Sequence, residues 1–440
     1  MRPVKEMPRA TGGSVPPTAP RQARGASSRR LSLGGAAAGA LLLLGAARAL
    51  GADYSVTPSV TLSEEYTDNV FDSNQGKKSD FITRARPGLS ASYQAPLWDW
   101  DLNYAYDYRY YAKGSQKDDW SQNCVMTGLV KPVDQTLFLA VSDTYQRVSL
   151  DVTRDTSKET LFQNQSDQNV GTVSPYLVLR PAKTVMVKAG YRYINTWYKD
   201  PRAISQQSHG GFLDTSYELT PRFFATAGYS ITREESETAG SNLTRQEAYL
   251  GPRYEYAEKS FIFARGGAII TRYSAQPDSI VNSFWDAGLT HSFDTATLNL
   301  KSSVAYAVDP LGVATLDTSY AGSLAKIFQR GTLTLQGSYN EFSSGITEQL
   351  NTKRYSAGLA GSYDLSEDWH GRLGLSFDHY DYPLTGITTR KYTADGALNY
   401  QFAKQASIGV NYVYVKYASA NPAGDNREVS RGIVEVSKTF

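Results

Sequence analysis

One cysteine, Cys124, in 440 residues leaves no partner for an intramolecular disulfide, so the fold does not rest on a cystine framework even in an oxidising compartment. Beyond Ala47 the chain has no long apolar run, which excludes a bundle of membrane-spanning helices. Neither sign of charge dominates: 45 Lys+Arg stand against 43 Asp+Glu, and no basic tract interrupts the chain. That balance argues against a nucleic-acid partner, whose binding needs concentrated phosphate neutralisation. There is no Cys/His metal spacing and no glycine loop opening a helix. Methionine is scarce, with 4 residues.

What the chain has is tyrosine, glycine and alternation. It carries 31 Tyr and 36 Gly, and its mean hydropathy of −0.41 hides any membrane character when half of each strand faces water. Leu102, Tyr104, Tyr106, Tyr108 and Tyr110 interleave with Asn103, Ala105, Asp107 and Arg109. On a strand this sends rings to one face and polar groups to the other. Such stretches recur from about residue 55 to Phe440. The expected fold is all-β: a transmembrane antiparallel up-and-down β-barrel with an even strand number, about 18–20, integral to a bacterial outer membrane.

The one apolar run, Leu31 to Ala47, follows Arg29 and Arg30 and precedes Ala47-Arg48-Ala49, an A-x-A cleavage pattern. Residues 1–49 are therefore expected to be a disordered leader plus a removed signal peptide, and 50–440 a single barrel domain. Ser28 to Leu33 superficially matches a twin-arginine signal. That route carries folded proteins, and a barrel travels unfolded, so general secretion is expected.

Two series of breaks punctuate the alternation. Tight ones fall at Ala95-Pro96, Lys131-Pro132, Arg180 to Lys183, Thr220 to Arg222, Ala257 to Lys259, Phe293 to Thr295, Lys326 to Gln329, Ser366 to Asp368 and Ala403-Lys404. Longer polar ones include Asp72 to Asp80, Lys113 to Asp119, Leu150 to Gln168 and Ser419 to Arg427. Short periplasmic turns and long outer loops are the normal asymmetry of these barrels. Leu150 to Asn169 alternates poorly, and reads as an extended loop or an insertion folding inward.

Taking the ring-bearing face as lipid-facing puts Leu89, Ala91, Tyr93, Leu102, Tyr104, Val185, Val187, Ala189, Tyr191, Leu333, Leu335, Leu359, Leu373, Leu375, Leu398, Tyr400, Ile408 and Val410 outside. Trp98, Trp100 and Trp369 are expected at the periplasmic girdle, Trp120 and Trp197 at the outer one, while Trp285 has no clear place. The lumen-lining set is then Arg84, Arg86, Asp101, Asp107, Arg109, Lys188, Arg192, Arg253, Glu255, Lys301, Arg354, Asp364, Arg372 and Asp378, with bases outnumbering acids. These charges pair across strands or form an anion-favouring conduit. Gly190, Gly358 and Gly374 on that face favour an open interior. Val434, Val436 and Phe440 share a face of the last strand and resemble the signal read by the barrel-assembly machinery. Lys438 departs from that signal, and can snorkel at the rim.

No catalytic residues, cofactor or metal site are expected. None of His209, His291, His370 or His379 has a serine two positions away, as an outer-membrane phospholipase needs. Asp378 and His379 point to opposite faces, although His379 and Asp381 share one. Alternation starting so soon after the leader argues against a plugged transporter or an autotransporter.

Thr57 to Phe71, followed by Lys78 to Thr83 and Pro87-Gly88-Leu89-Ser90, resembles the opening hairpin of the β-barrel porin 2 family. The resemblance implies an outer-membrane porin through which secreted polysaccharide (exopolysaccharide, or a capsule or spore-coat polymer) leaves, working with a periplasmic polysaccharide-export protein and an inner-membrane polymerase and co-polymerase. In that hairpin Glu64, Glu65, Asp68 and Asn69 are expected at the outer end of the first strand and in its turn, solvated rather than holding a cation. The alternatives are a general diffusion porin for small solutes, favoured by a constriction loop in the lumen, and a sealed structural or adhesive barrel.

Overall fold

Period-two alternation makes every strand two-faced, and the structure closes these strands on one another. The computed structural model describes residues 52–440 apart from 157, 159–164, 238–241, 275–277, 309, 312–313, 348 and 422–423; the expected leader and signal peptide lie outside the described residues. Twenty strands form one antiparallel sheet in which each pairs with its neighbours in sequence and β1 (Asp53–Thr67) pairs with β20 (Glu428–Thr439). The barrel is therefore closed, and it has no free edge of the kind that recruits other chains.

Between them run β2 (Asp80–Ala95), β3 (Trp98–Tyr111), β4 (Asp119–Val133), β5 (Leu137–Ser149), β6 (Gln165–Ala182), β7 (Val185–Tyr198), β8 (Gln206–Thr220), β9 (Phe223–Ser236), β10 (Leu243–Ala257), β11 (Ser260–Tyr273) and β12 (Ser279–Ser292). The second half comprises β13 (Ala296–Val308), β14 (Ala314–Phe328), β15 (Gly331–Ser344), β16 (Leu350–Asp364), β17 (Trp369–Tyr382), β18 (Ile387–Ala403) and β19 (Ala406–Ala418). Connections of two to four residues at one end alternate with connections of four or more at the other, so all turns of two or three residues lie at one end. The long series includes a connection at 309–313, between β13 and β14, that the sequence breaks did not mark.

At two of the expected turns the proline lies within a strand end instead. Lys131-Pro132 lies in β4 and Arg180-Pro181 in β6, each at a register shift. A bulge opens the ladder locally, so a residue without an N–H is tolerated there. The same logic admits Pro87 and Pro252 into strand interiors, where the β2–β3 and β10–β11 ladders skip them.

The register shows which residues share a face. Leu89 sits opposite Tyr104 and Ala91 opposite Leu102, while Arg84 sits opposite Arg109. Following these pairs around the sheet puts every residue of the expected lipid set on one face. Leu335, Leu373 and Val410 on it are 56%, 56% and 55% exposed, as an apolar wall awaiting lipid requires. Trp369 stacks on Tyr400 at 4.7 Å near the tight-turn end, and Trp120 stacks near Tyr106 at 6.0 Å toward the long loops. Trp285 is on the same outer face, its indole N–H donating to Ser302 Oγ at 3.0 Å.

Candidate functional site in the barrel interior

The connection after β5 identifies the inner face. Arg154 pairs with Asp425 at 2.6 Å, Lys158 with Asp395 at 3.4 Å, and Arg354 with Asp155 at 3.4 Å. Lys391 Nζ donates to Asp155 O, and Arg431 donates to Lys158 O. A segment leaving β5 reaches β16 to β20, about half the circumference away, only through the interior. Residues 150–156 and 158 thus fold into the barrel, while Gln165 to Asn169, expected in the same loop, belong to β6.

The loop seats on an apolar patch of the inner wall made by Tyr380, Val413, Val415 and Tyr417, all buried. Arg154 lies 4.8 Å from the Tyr417 ring centroid. Burial works against its charge, and Tyr417 and Asp425 outweigh that effect, so its pKa is raised above the ordinary value. Between the loop and the wall lies a cavity of about 320 Å³, lined by Asp155, Lys301, Gln336, Arg354, Ser356 and Asp378 among others.

All the charged residues expected to line the lumen are on this inner face in the strand registers. So are Glu65, Asp99, Asp214, Glu234, Glu247, Asp286, Asp317, Asp395 and Glu435, which the sequence reading omitted, against the added bases Arg245, Arg265, Lys391 and Arg431. The wall is therefore balanced, and the expected excess of bases is corrected. Most charges are paired: Arg84 with Asp107 at 2.6 Å and Glu65 at 3.3 Å, Arg86 with Glu435 at 3.3 Å, Arg354 with Asp378 at 2.9 Å.

The first hairpin is also corrected. Glu65 is 2% exposed, held between Arg84 and Arg431, and Asn69 is fully buried. Asp68 and Ser430 exchange two hydrogen bonds, Asp68 N to Ser430 O at 3.2 Å and Ser430 N to Asp68 Oδ1 at 2.8 Å. Asn69 Nδ2 donates to Ser73 O at 2.8 Å and Glu428 O at 3.1 Å. These residues latch the first hairpin to the last strand where the barrel closes, so they are not free in solvent.

A second segment enters the interior. β12 and β13 pair only from Asp286↔Ser303 to Ser292↔Thr297 and part above. Beyond that point Tyr306 packs with Leu243, Tyr273, Ile280 and Ala314, its hydroxyl 3.0 Å from that of Tyr273. Tyr273, Leu243 and Ile280 belong to the inner face of β10 to β12, so the top of the β13–β14 hairpin tucks against it. Pro310 O accepts from Ile204 N at 2.8 Å, tying the hairpin to the β7–β8 loop.

The inner wall is also aromatic, against the expectation that rings face lipid. Phe138, Tyr176, Phe212, Tyr249, Phe261, Phe263 and Phe284 lie on it. Several cover glycines: Phe263 lies over Gly288, and Tyr176 and Phe212 lie over Gly190. Asp395 covers Gly374 and Gln336 covers Gly358 in the same way. The three glycines taken as signs of an empty interior are thus filled by neighbours. The sequence held one signal for this: Phe261-Ile262-Phe263-Ala264 has no polar position, so both faces of that strand are apolar.

His379 is on the outer face beside Tyr355, their rings 5.9 Å apart, and Asp378 points inward to Arg354 and Ser356. Among the described residues no cluster of three His, Cys, Asp or Glu could hold a metal ion. Val434, Val436 and Phe440 share the outer face, and Phe440 N donates to Pro58 O at 2.9 Å.

No protein-family model matches the chain, and no curated protein matches it. Among solved structures, the FrpB iron transporter of Neisseria meningitidis aligns with a TM-score of 0.54 at 10% identity, over 87% of this chain and 81% of that one. The copper transporter OprC aligns with a TM-score of 0.50 at 10% identity, over 88% and 80%. OccAB2 of Acinetobacter baumannii aligns at 0.43 and 12%, over 88% and 98%. The first two likenesses bear on the fold, a closed outer-membrane-type barrel. With its apolar exterior, that fold makes the protein an integral outer-membrane protein.

Proposed function

We propose that the protein is a passive outer-membrane channel for small hydrophilic solutes. The observation that carries this reading is the described part of the β5–β6 loop, residues 150–156 and 158, which lies in the interior and is pinned by Arg154, Asp155 and Lys158 to the far side of the barrel. A loop held in the lumen narrows a conduit to solute size, and a polar, charge-paired wall gives passage without tight binding. The charged residues from Arg84 to Asp378 named above are then the wall of the conduit. Val434, Val436 and Phe440 are the segment offered to the barrel-assembly machinery.

The test is conductance of the purified barrel in a planar bilayer. Replacing Arg154 and Asp155 together by alanine frees the loop and is expected to raise mean conductance roughly twofold. A wild-type protein that inserts without conducting contradicts the reading.

A second reading, export of secreted polysaccharide with a periplasmic export protein and an inner-membrane co-polymerase, is favoured by the first-hairpin resemblance. It is weakened by the latching role of Glu65, Asp68 and Asn69, which accounts for those residues without a cargo. Loss of surface polysaccharide in a deletion strain, with polymer retained inside the cell, would replace the small-solute reading with this one.

A further inference from the structure

The inner wall from β5 to β8 carries an arrangement to which a merely wet conduit gives no role. Tyr176 and Phe212 both stand opposite Gly190 in the register, one from each neighbouring strand. A Cβ on Gly190 would fall 2.6 Å from Tyr176 Cβ and 2.7 Å from Phe212 Cζ, so the two side chains close over the glycine backbone. Phe138 extends the row, stacked on Tyr176 with centroids 5.1 Å apart and planes 13° from parallel. The result is a shelf of rings along the wall.

Two cations border this shelf. Lys188 and Arg192 are on the same face of β7, two positions either side of Gly190. Lys188 Nζ is 4.1 Å from the Tyr176 centroid and 5.7 Å from that of Phe212, and Arg192 lies 5.3 Å from the Phe212 centroid. Elsewhere on this wall bases are mostly paired with carboxylates. Among the described residues, neither of these two has a carboxylate at ion-pair distance. Asp214, the register partner of Lys188, instead accepts from Tyr249 Oη at 2.9 Å.

We propose that this shelf is a binding platform for small carboxylates carried on a ring, either an aromatic acid or a uronic acid. Flat rings offer a face on which an aromatic ring or the C–H face of a sugar stacks, and the two unpaired cations recognise the carboxylate. The proposal takes the channel reading only as its route of access.

Calorimetry on the full barrel in detergent tests it, with benzoate, glucuronate, glucose and acetate as probes. Benzoate, glucuronate or both are expected to bind at least about tenfold more tightly than acetate or glucose. Binding of only one of the two acids identifies the source of the ring and supports the platform. Phe212→Leu, which keeps an apolar cover on Gly190, is expected to weaken the ring acids about tenfold. Lys188→Gln with Arg192→Gln is expected to remove the preference for acid over glucose. Heat-modifiable mobility on gels verifies that each variant folds. Equal affinity for acetate, no binding of either ring acid, or wild-type affinity in folded variants overturns the platform. Ring-acid binding without bilayer conductance overturns the channel reading and leaves the platform standing.

Discussion

Glu64 and Glu65 are adjacent in the chain and end in different surroundings. Glu64 is on the outer face, accepting from Thr83 Oγ1 at 2.7 Å in an exposed position. Glu65 points inward, 2% exposed between Arg84 and Arg431. Removing a buried partner leaves charge uncompensated and costs about 3 to 5 kcal/mol, whereas an exposed substitution stays within about 0.5 kcal/mol. Glu65→Ala is therefore expected to lower unfolding stability by about 3 kcal/mol and Glu64→Ala hardly at all. Denaturant titration in detergent measures both, and equal effects would refute the assignment of faces. Alternation alone separates the two carboxylates. That Glu65 meets Arg431 was not legible, because that contact closes a ring through residues at the other end of the chain.

At the scale of elements, the β12–β13 seam differs from the rest of the wall. Its ladder runs only from Asp286↔Ser303 to Ser292↔Thr297, while β14 and β15 pair along their whole length. Where β4 and β5 part above Cys124↔Tyr145, Arg147 fills the opening, pairing with Asp119 at 2.6 Å and donating to Trp120 O at 3.0 Å. Amides of Ser279 to Phe284 that point toward β13 are expected to exchange roughly a hundredfold faster than those that point toward β11. Hydrogen exchange read residue by residue measures this, and uniform protection along β12 would contradict the parted seam. Strands and most turns were legible because a tight turn is set by a few adjacent residues. The inward hairpin was not, since Tyr306 chooses its place by packing on Tyr273 and Leu243. The sequence offered Pro132 and Pro181 as turn signals, and the bulges that admit proline within strand ends make that signal ambiguous.

At the scale of the molecule, the charge balance of the wall sets the expected selectivity. Acids and bases are both plentiful inside and mostly paired, so the field along the lumen is weak. In a tenfold gradient of potassium chloride the reversal potential is expected near zero, with at most about a twofold preference for either ion. A strongly anion-selective barrel would mean that the unpaired bases, Lys188 and Arg192 among them, govern passage.

The sequence by itself determined an antiparallel barrel of an even strand number near 18–20, which the structure sets at twenty, the end that carries the tight turns, and which side chains share a face. These follow from a period of two and from turn chemistry, both of which act over a few residues. Only the tertiary structure decided which loop crosses the interior, which charges neutralise one another, which rings cover which glycines, and how Asp68 and Asn69 fasten the first hairpin to the last strand. Each of these depends on side chains meeting across strands or around the closed ring, contacts that no local period encodes.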